Sequence, residues 1–232
     1  MRKKNSSAFN LPLIAIRGIF LYGNSVLFIV NKNRRCEGGA IIIARSTMDT
    51  PVKEILVAYS SGYGATKEVA EEIAKILAEQ LKCNVTSKSV HECDDINSYD
   101  AIVLGSSVRA DKPLANARDF FSIHRHHLGQ KKLALFIVSI TASTSDGIEI
   151  AKRDYVTQLH DRYPWIAPIS VAAFGGKIDF DKLNTVMQSL VRNVMKEKGV
   201  DGNGSFDARN WDDIRAWAKK LAFQFKKLSL VS

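Results

Sequence analysis

Cysteine is scarce in this chain. Its 232 residues hold three, Cys36, Cys83 and Cys93, an odd number with no C-x-x-C spacing. That argues against a disulfide scaffold or a zinc site and fits a reducing compartment. No glycine is followed by Lys-Ser or Lys-Thr, so the triphosphate-binding Walker A order is missing. No acidic pair follows the first apolar run, as a receiver-type domain would need. No Ser-His-Asp, Cys-His or paired-carboxylate arrangement can be argued, so no acid or base is named. Internal repeats and low-complexity blocks are also absent. Basic stripes interleaved with aromatics are missing too, which argues against nucleic-acid binding.

The net charge of +9 is not spread evenly. Residues 1–47 carry eight Lys/Arg against one acidic residue, Glu37. The other 185 residues carry 25 Lys/Arg against 23 Asp/Glu, so the main body is nearly neutral. Residues 1–47 therefore read as a basic and apolar leader, poorly ordered or upstream of the natural start. Phe9–Val30 approaches the roughly 20 apolar residues of a membrane span. Arg17 interrupts it, at a cost of about 2.5–3.5 kcal/mol in a bilayer. A membrane-associating leader is the second reading, and mass spectrometry of the native N-terminus separates the two. Met48 precedes the first strand, so residues 48–232 read as the domain. Hydrophobic content of 46% is ordinary for a chain with a buried core.

What is present is organised around Glu54–Leu81. Ile55, Leu56, Val57 and Ala58 form an unbroken apolar run, the pattern of a parallel strand covered on both faces. Val69, Ile73, Ile76, Leu77 and Leu81 then recur at helical spacing. Between them lies Ser60, Ser61, Gly62, Tyr63, Gly64, Ala65 and Thr66. Glycines let backbone approach a ligand. The free N–H groups and dipole of a helix start favour an anion such as phosphate. A plain strand-to-helix turn built of small residues is the alternative. A dinucleotide fingerprint is disfavoured, because Lys67 stands where a third glycine belongs.

The pattern repeats along the chain. Asn84–Val90, Tyr99–Gly105, Leu133–Ser139 and Pro168–Phe174 read as strands. Helices are expected over Asn116–His127, about 148–163, Phe180–Lys198, and from an Asn210 cap onward. Strands alternating with helices give an α/β fold: a parallel sheet with helices on both faces. The third strand ends in an expected loop from Gly105 through Ser106, Ser107, Val108 and Arg109 to Asp111. The fourth ends in Ser139, Ile140, Thr141, Ala142, Ser143, Thr144 and on to Gly147. Ligands of open α/β sheets bind beyond such strand ends, where strand order reverses.

From Lys53 to Leu228 the sequence resembles the flavodoxin-like proteins. The likeness rests on Ser60–Thr66, and also on Gly105–Arg109 and Ser139–Gly147. It implies a three-layer α/β/α sandwich with a five-stranded sheet in order 2-1-3-4-5. It also implies bound FMN, with its phosphate against Ser60–Thr66 and its ring between the other two loops. Within that superfamily the chain is similar to the menaquinone-dependent protoporphyrinogen IX dehydrogenases. Thr66–Ala70 (TKEVA), Gly105–Arg109 (GSSVR), the added segment before the last helix and Asn210-Trp211 carry that likeness. One departure stands out: neither flanking loop contains an aromatic residue.

The resemblance implies an FMN-dependent oxidoreductase of haem biosynthesis passing electrons to a quinone. A flavodoxin-type electron carrier and a flavin-free interaction domain are the alternatives. Carriers of that kind are usually strongly acidic, and this body is not. Its redox partner would be a small molecule or a protein. The location implied is cytoplasmic, with peripheral membrane contact as an alternative, and nothing in the sequence gives an oligomeric state. Arg109 is read as neutralising reduced flavin or meeting a substrate carboxylate, against a plain solvated arginine. His124 and His127, one turn apart, read as a cationic helix end rather than metal ligands. Trp211 and Trp217 read as helix packing. The Phe180–Lys198 helix reads as cover for the sheet, with a membrane or quinone contact as the alternative.

Overall fold

The computed structural model describes residues 20–22, 25–27, 52–109, 111–197 and 205–227. The chain divides into two units, Met1–Thr47 and Met48–Ser232. In the first, Phe20–Tyr22 pairs antiparallel with Ser25–Leu27. The leader reading otherwise falls on residues outside the described ones. The second unit holds the sheet.

Five strands form it: β1 (Glu54–Ser60), β2 (Asn84–Ser89), β3 (Ala101–Arg109), β4 (Lys132–Ser139) and β5 (Ser170–Gly175). All pair in parallel, in the order β2-β1-β3-β4-β5. This is the 2-1-3-4-5 arrangement expected from the sequence. Successive residues of a strand point to opposite faces, and the two faces have separate cores. Ile55, Val57, Val103 and Phe136 pack against α1 (Ala65–Leu81) and α6 (Trp211–Lys227). Leu56, Ala58, Leu104 and Leu135 pack against α2 (Ala115–Ile123) and α4 (Ser145–Arg162). A short α3 (Arg125–Leu128) follows α2. Both faces are covered, so the strands carry apolar runs without alternation.

Two expectations need correction. Gly105–Arg109 is not a loop but the end of β3. Ser106 and Ser107 lie in register with Ile137 and Val138 of β4. Val108 and Arg109 pair antiparallel with a returning segment, Lys112–Pro113, so the strand runs four residues past its expected end at Gly105. Small side chains alone do not end a strand that has a partner on each side.

The second correction concerns the helix expected over Phe180–Lys198. Phe180–Lys182 forms a 3₁₀ turn, and α5 spans Thr185–Glu197. Asn184 interrupts the run: its Oδ1 accepts from Met187 N at 2.9 Å, and Gln188 Nε2 donates to the carbonyls of Phe180 and Leu183. Met187, Val191 and Met195, spaced four apart, face a third small cluster with Phe180, Leu183 and Ile140. Val186 and Leu190, also on this helix, are 77% and 54% exposed. This helix therefore covers its own cluster, apart from the two main cores.

Candidate functional site

The sheet order reverses at β1 and β3, and the residues singled out from sequence gather there. Ser60 ends β1, buried, in register with Ser106 of β3. The next residues make a small cup. Ser61 Oγ accepts from Gly64 N at 3.0 Å. Gly62 is exposed, and Tyr63 is 51% exposed. Gly64 sits at the start of α1 with φ +93°, a conformation that side-chain-bearing residues rarely adopt. No side chain caps this helix, so its first N–H groups remain available to a ligand. Thr66 is fully buried in the first turn, and its Oγ1 has no partner among the described residues. Buried hydroxyls nearly always have a partner. Ala65 opens the helix beside it.

Arg109 reaches over the cup. Its guanidinium carbon lies 5.9 Å from the Tyr63 ring centroid, and a Cβ on Gly62 would meet its Nη2 at 3.3 Å. Ser106 is committed elsewhere: its Oγ donates to Ser107 O at 2.8 Å and accepts from Leu114 N at 3.1 Å. That pair pins the returning segment. Ser107 and Val108 are half-buried.

At the end of β4, Ser139 is buried and its Oγ accepts from Ala142 N at 3.2 Å. Ile140 and Thr141 are half-buried and Ala142 is buried. Ser143 has a buried Oγ with no partner among the described residues, a second orphan like that of Thr66. Thr144 caps α4: its Oγ1 accepts from the N–H of buried Gly147 at 3.1 Å. Val108, Ser139 and Thr141 border a cleft of about 250 Å³ between the β3 and β4 ends and α4.

Behind the cup lies a network that the sequence reading missed. Arg209 has a side chain only 3% exposed. It grips Asp207 with two hydrogen bonds of 2.8 and 2.7 Å and reaches Glu68 of α1 at 2.7 Å. Its guanidinium also lies 4.7 Å from the Trp211 ring centroid. Lys177 approaches the same Glu68 at 3.6 Å. Burial raises the Glu68 carboxyl, but hydrogen bonds and charge from Arg209 and Lys177 outweigh it and hold it below its ordinary value. The hydrogen bond from Arg209 likewise lowers Asp207. Glu68 and Arg209 are 141 residues apart, and no local pattern signals such a contact. Tyr155, on the wall of the cleft, was also missed. It looks like one apolar position in a helix stripe.

His124 is buried, with Nε2 2.9 Å from Cys93 O. Burial pushes its pKa down. Among the described residues no group of three His, Cys, Asp or Glu could hold a metal. Among the same residues no helix is long and apolar enough to cross a membrane.

A doubly wound parallel sheet with a glycine-bearing helix start at the strand-order reversal makes this an α/β protein of the open-sheet class, in which ligands bind at that position. The flavodoxin domain model matches residues 56–204, more than half of the chain, and the chain belongs to that family. Protoporphyrinogen IX dehydrogenase [quinone] of Leishmania major is 25% identical over 72% of this chain and 74% of its own length. The protein of the same name in Escherichia coli K12 is 22% identical, over 75% of this chain and 98% of its own. Among solved structures, rubredoxin oxygen:oxidoreductase of Desulfovibrio gigas aligns with a TM-score of 0.50 and 12% identity. That match covers 79% of this chain and 38% of the other, and it speaks to fold alone.

Proposed function

We propose that this protein is an FMN-dependent oxidoreductase that oxidises a protoporphyrinogen-like substrate and passes the electrons to a quinone. One observation carries the flavin part: a fully buried threonine hydroxyl without a partner among the described residues, in a helix start opened by a left-handed glycine. That donor set suits a phosphate dianion. In this reading the first N–H groups of α1, with Ser61 and Thr66, hold the phosphate. Ser143 and the Thr141–Thr144 turn lie at the ring, and Arg109 supplies positive charge across the cup. FMN, when bound, supplies one- and two-electron transfer. The chain's own residues bind it, orient it and set the charge around it. The names of the two dehydrogenase relatives support the substrate and acceptor, and the near-neutral body favours an enzyme over a carrier.

The test begins with titration by FMN and by riboflavin, followed by absorbance and fluorescence. Wild type should bind FMN and turn yellow. Thr66→Val should weaken FMN by roughly tenfold or more, as for one hydrogen bond to a charged group. Riboflavin, which lacks the phosphate, should bind both forms equally. A wild-type protein that stays colourless in excess FMN ends the proposal. Steady-state turnover of protoporphyrinogen IX with a quinone then separates enzyme from carrier.

A further inference from the structure

An acidic residue stands close to where the flavin phosphate is assigned. Glu68 lies in the first turn of α1, and its N–H donates to the carbonyl of Gly64 at 3.0 Å. Four residues at 1.5 Å rise put it about 6 Å along the axis from the left-handed glycine. Helix side chains lean toward the N-terminus, which shortens that distance. A helix start favours one negative charge, but a carboxylate and a dianion within a turn of each other repel. The chain between β5 and α6 brings in the compensating charge. Lys177–Ile178 pairs antiparallel with Phe206–Asp207, with Lys177 opposite Asp207. A Cβ on Gly175 would clash with the carbonyl of Ala208, and one on Gly176 would meet Ser139 C at 3.1 Å. Bare backbone at these two positions lets the ribbon lie against the ends of β5 and β4. From there Arg209 Nη1 donates to Glu68 Oε2 at 2.7 Å, and Lys177 Nζ lies 3.6 Å from Glu68 Oε1. Both carboxylate oxygens thus face a cation. With Asp207, the group holds two acids and two bases and has no net charge. The neighbouring charges of α1 are paired outside it, Lys67 with Glu71 and Glu72 with Arg215.

We propose that Arg209 and Lys177 set the anion selectivity of the cup: by cancelling the charge of Glu68 they let the start of α1 admit a phosphate dianion. They act through Glu68 and are positioning residues. The inference rests on the flavin reading for the identity of the phosphate ester, but not for the charge balance. Anchoring alone does not account for the arrangement. Arg209 by itself already links α1 to the segment before α6, through Glu68 and Asp207. Lys177, a second cation on the same carboxylate, adds charge rather than a new link between helices. Burial opposes ionisation of Glu68, and Arg209 and Lys177 keep it charged at neutral pH. Its side chain is 45% exposed, so its charge would persist in water if the two cations were removed.

The experiment reads the sign of the charge effect on the full chain. At about 8 Å and an effective dielectric near 40, one unit charge changes the affinity for another by about fivefold. Arg209→Met should therefore weaken FMN by at least about fivefold and leave riboflavin unchanged. Glu68→Gln should strengthen FMN by about two- to fivefold, although it removes a hydrogen bond. The double variant should return to within about threefold of wild type. All these differences should shrink below about twofold in 1 M salt, where the screening length falls from about 10 Å at 0.1 M to about 3 Å. Inorganic phosphate, followed by the rise in melting temperature at ionic strength matched with chloride, repeats the comparison without the ring. A weaker FMN complex in Glu68→Gln overturns the proposal, and that variant decides alone if Arg209→Met does not fold. Equal losses of FMN and riboflavin in Arg209→Met overturn it too, as a mark of plain anchoring. Differences that persist in 1 M salt do the same. A phosphate response that rises in Glu68→Gln, in a protein that does not bind FMN, would sink the flavin reading and spare this one. No response of wild type to either probe ends both.

Discussion

Gly64 and Thr66 divide the work of the cup. Gly64 supplies the backbone bend at φ +93°, and Thr66 supplies a buried hydroxyl with no hydrogen-bond partner among the described residues. Nothing lies within 4 Å of a Cβ built on Gly64. Gly64→Ala therefore tests backbone strain without overpacking. It should destabilise the protein by about 1–2 kcal/mol, the usual cost of a left-handed residue with a side chain. Urea unfolding of the flavin-free protein measures this; an unchanged midpoint would show that the bend can relax. The loop composition was legible in sequence. The orphan state of Thr66 was not, because it depends on what fails to approach the hydroxyl. Ser106 shows the opposite case: its hydroxyl is engaged, donating to Ser107 O and accepting from Leu114 N.

At the scale of elements, the helix that forms the cup is anchored from far along the chain. Arg209 joins the first turns of α1 to the start of α6 through Glu68, Asp207 and Trp211. Arg209→Met keeps much of the stem and removes the charge. It should cost on the order of 2 kcal/mol, since hydrogen bonds to charged groups are lost. The loss stays below that of a wholly buried pair, because Glu68 and Asp207 side chains are over 40% exposed and recover water. Glu68→Gln should cost less than Arg209→Met, because Arg209 keeps both bonds to Asp207. Thermal or urea unfolding of the two variants tests that order, and the reverse order would break the account. Helix periodicity located α1 and α6 well. It misplaced the start of α5, where the Asn184 and Gln188 side chains outcompete the helix for backbone groups.

At the scale of the whole domain, stability converges on β4. Phe136 is fully buried on this strand, and its ring fills the space that the missing side chain of Gly105 leaves on β3. Phe174 and Trp217 lie 6.2 Å from it, ring centre to ring centre, and join β5 and α6 to the same contact. Trp217 Nε1 also donates to Ser170 Oγ at 3.0 Å, so the indole is satisfied where it packs. Phe136→Ala should cost about 3–5 kcal/mol, the range for emptying a core phenylalanine site. Calorimetric unfolding measures the loss; a cost below 1 kcal/mol would mean that the core collapses into the gap.

The sequence by itself determined the strand and helix alternation, the sheet order through its likeness to a known family, and the cup at the first strand end. Those features are local: apolar runs, helical spacing and glycine placement lie within about 20 consecutive residues. Only the tertiary structure decided that β3 runs on through Arg109, that Arg209 grips α1, and that the buried Tyr155 hydroxyl has no hydrogen-bond partner among the described residues. Each of these depends on groups distant in the chain meeting, or failing to meet, in space. Neighbouring residues carry no record of that.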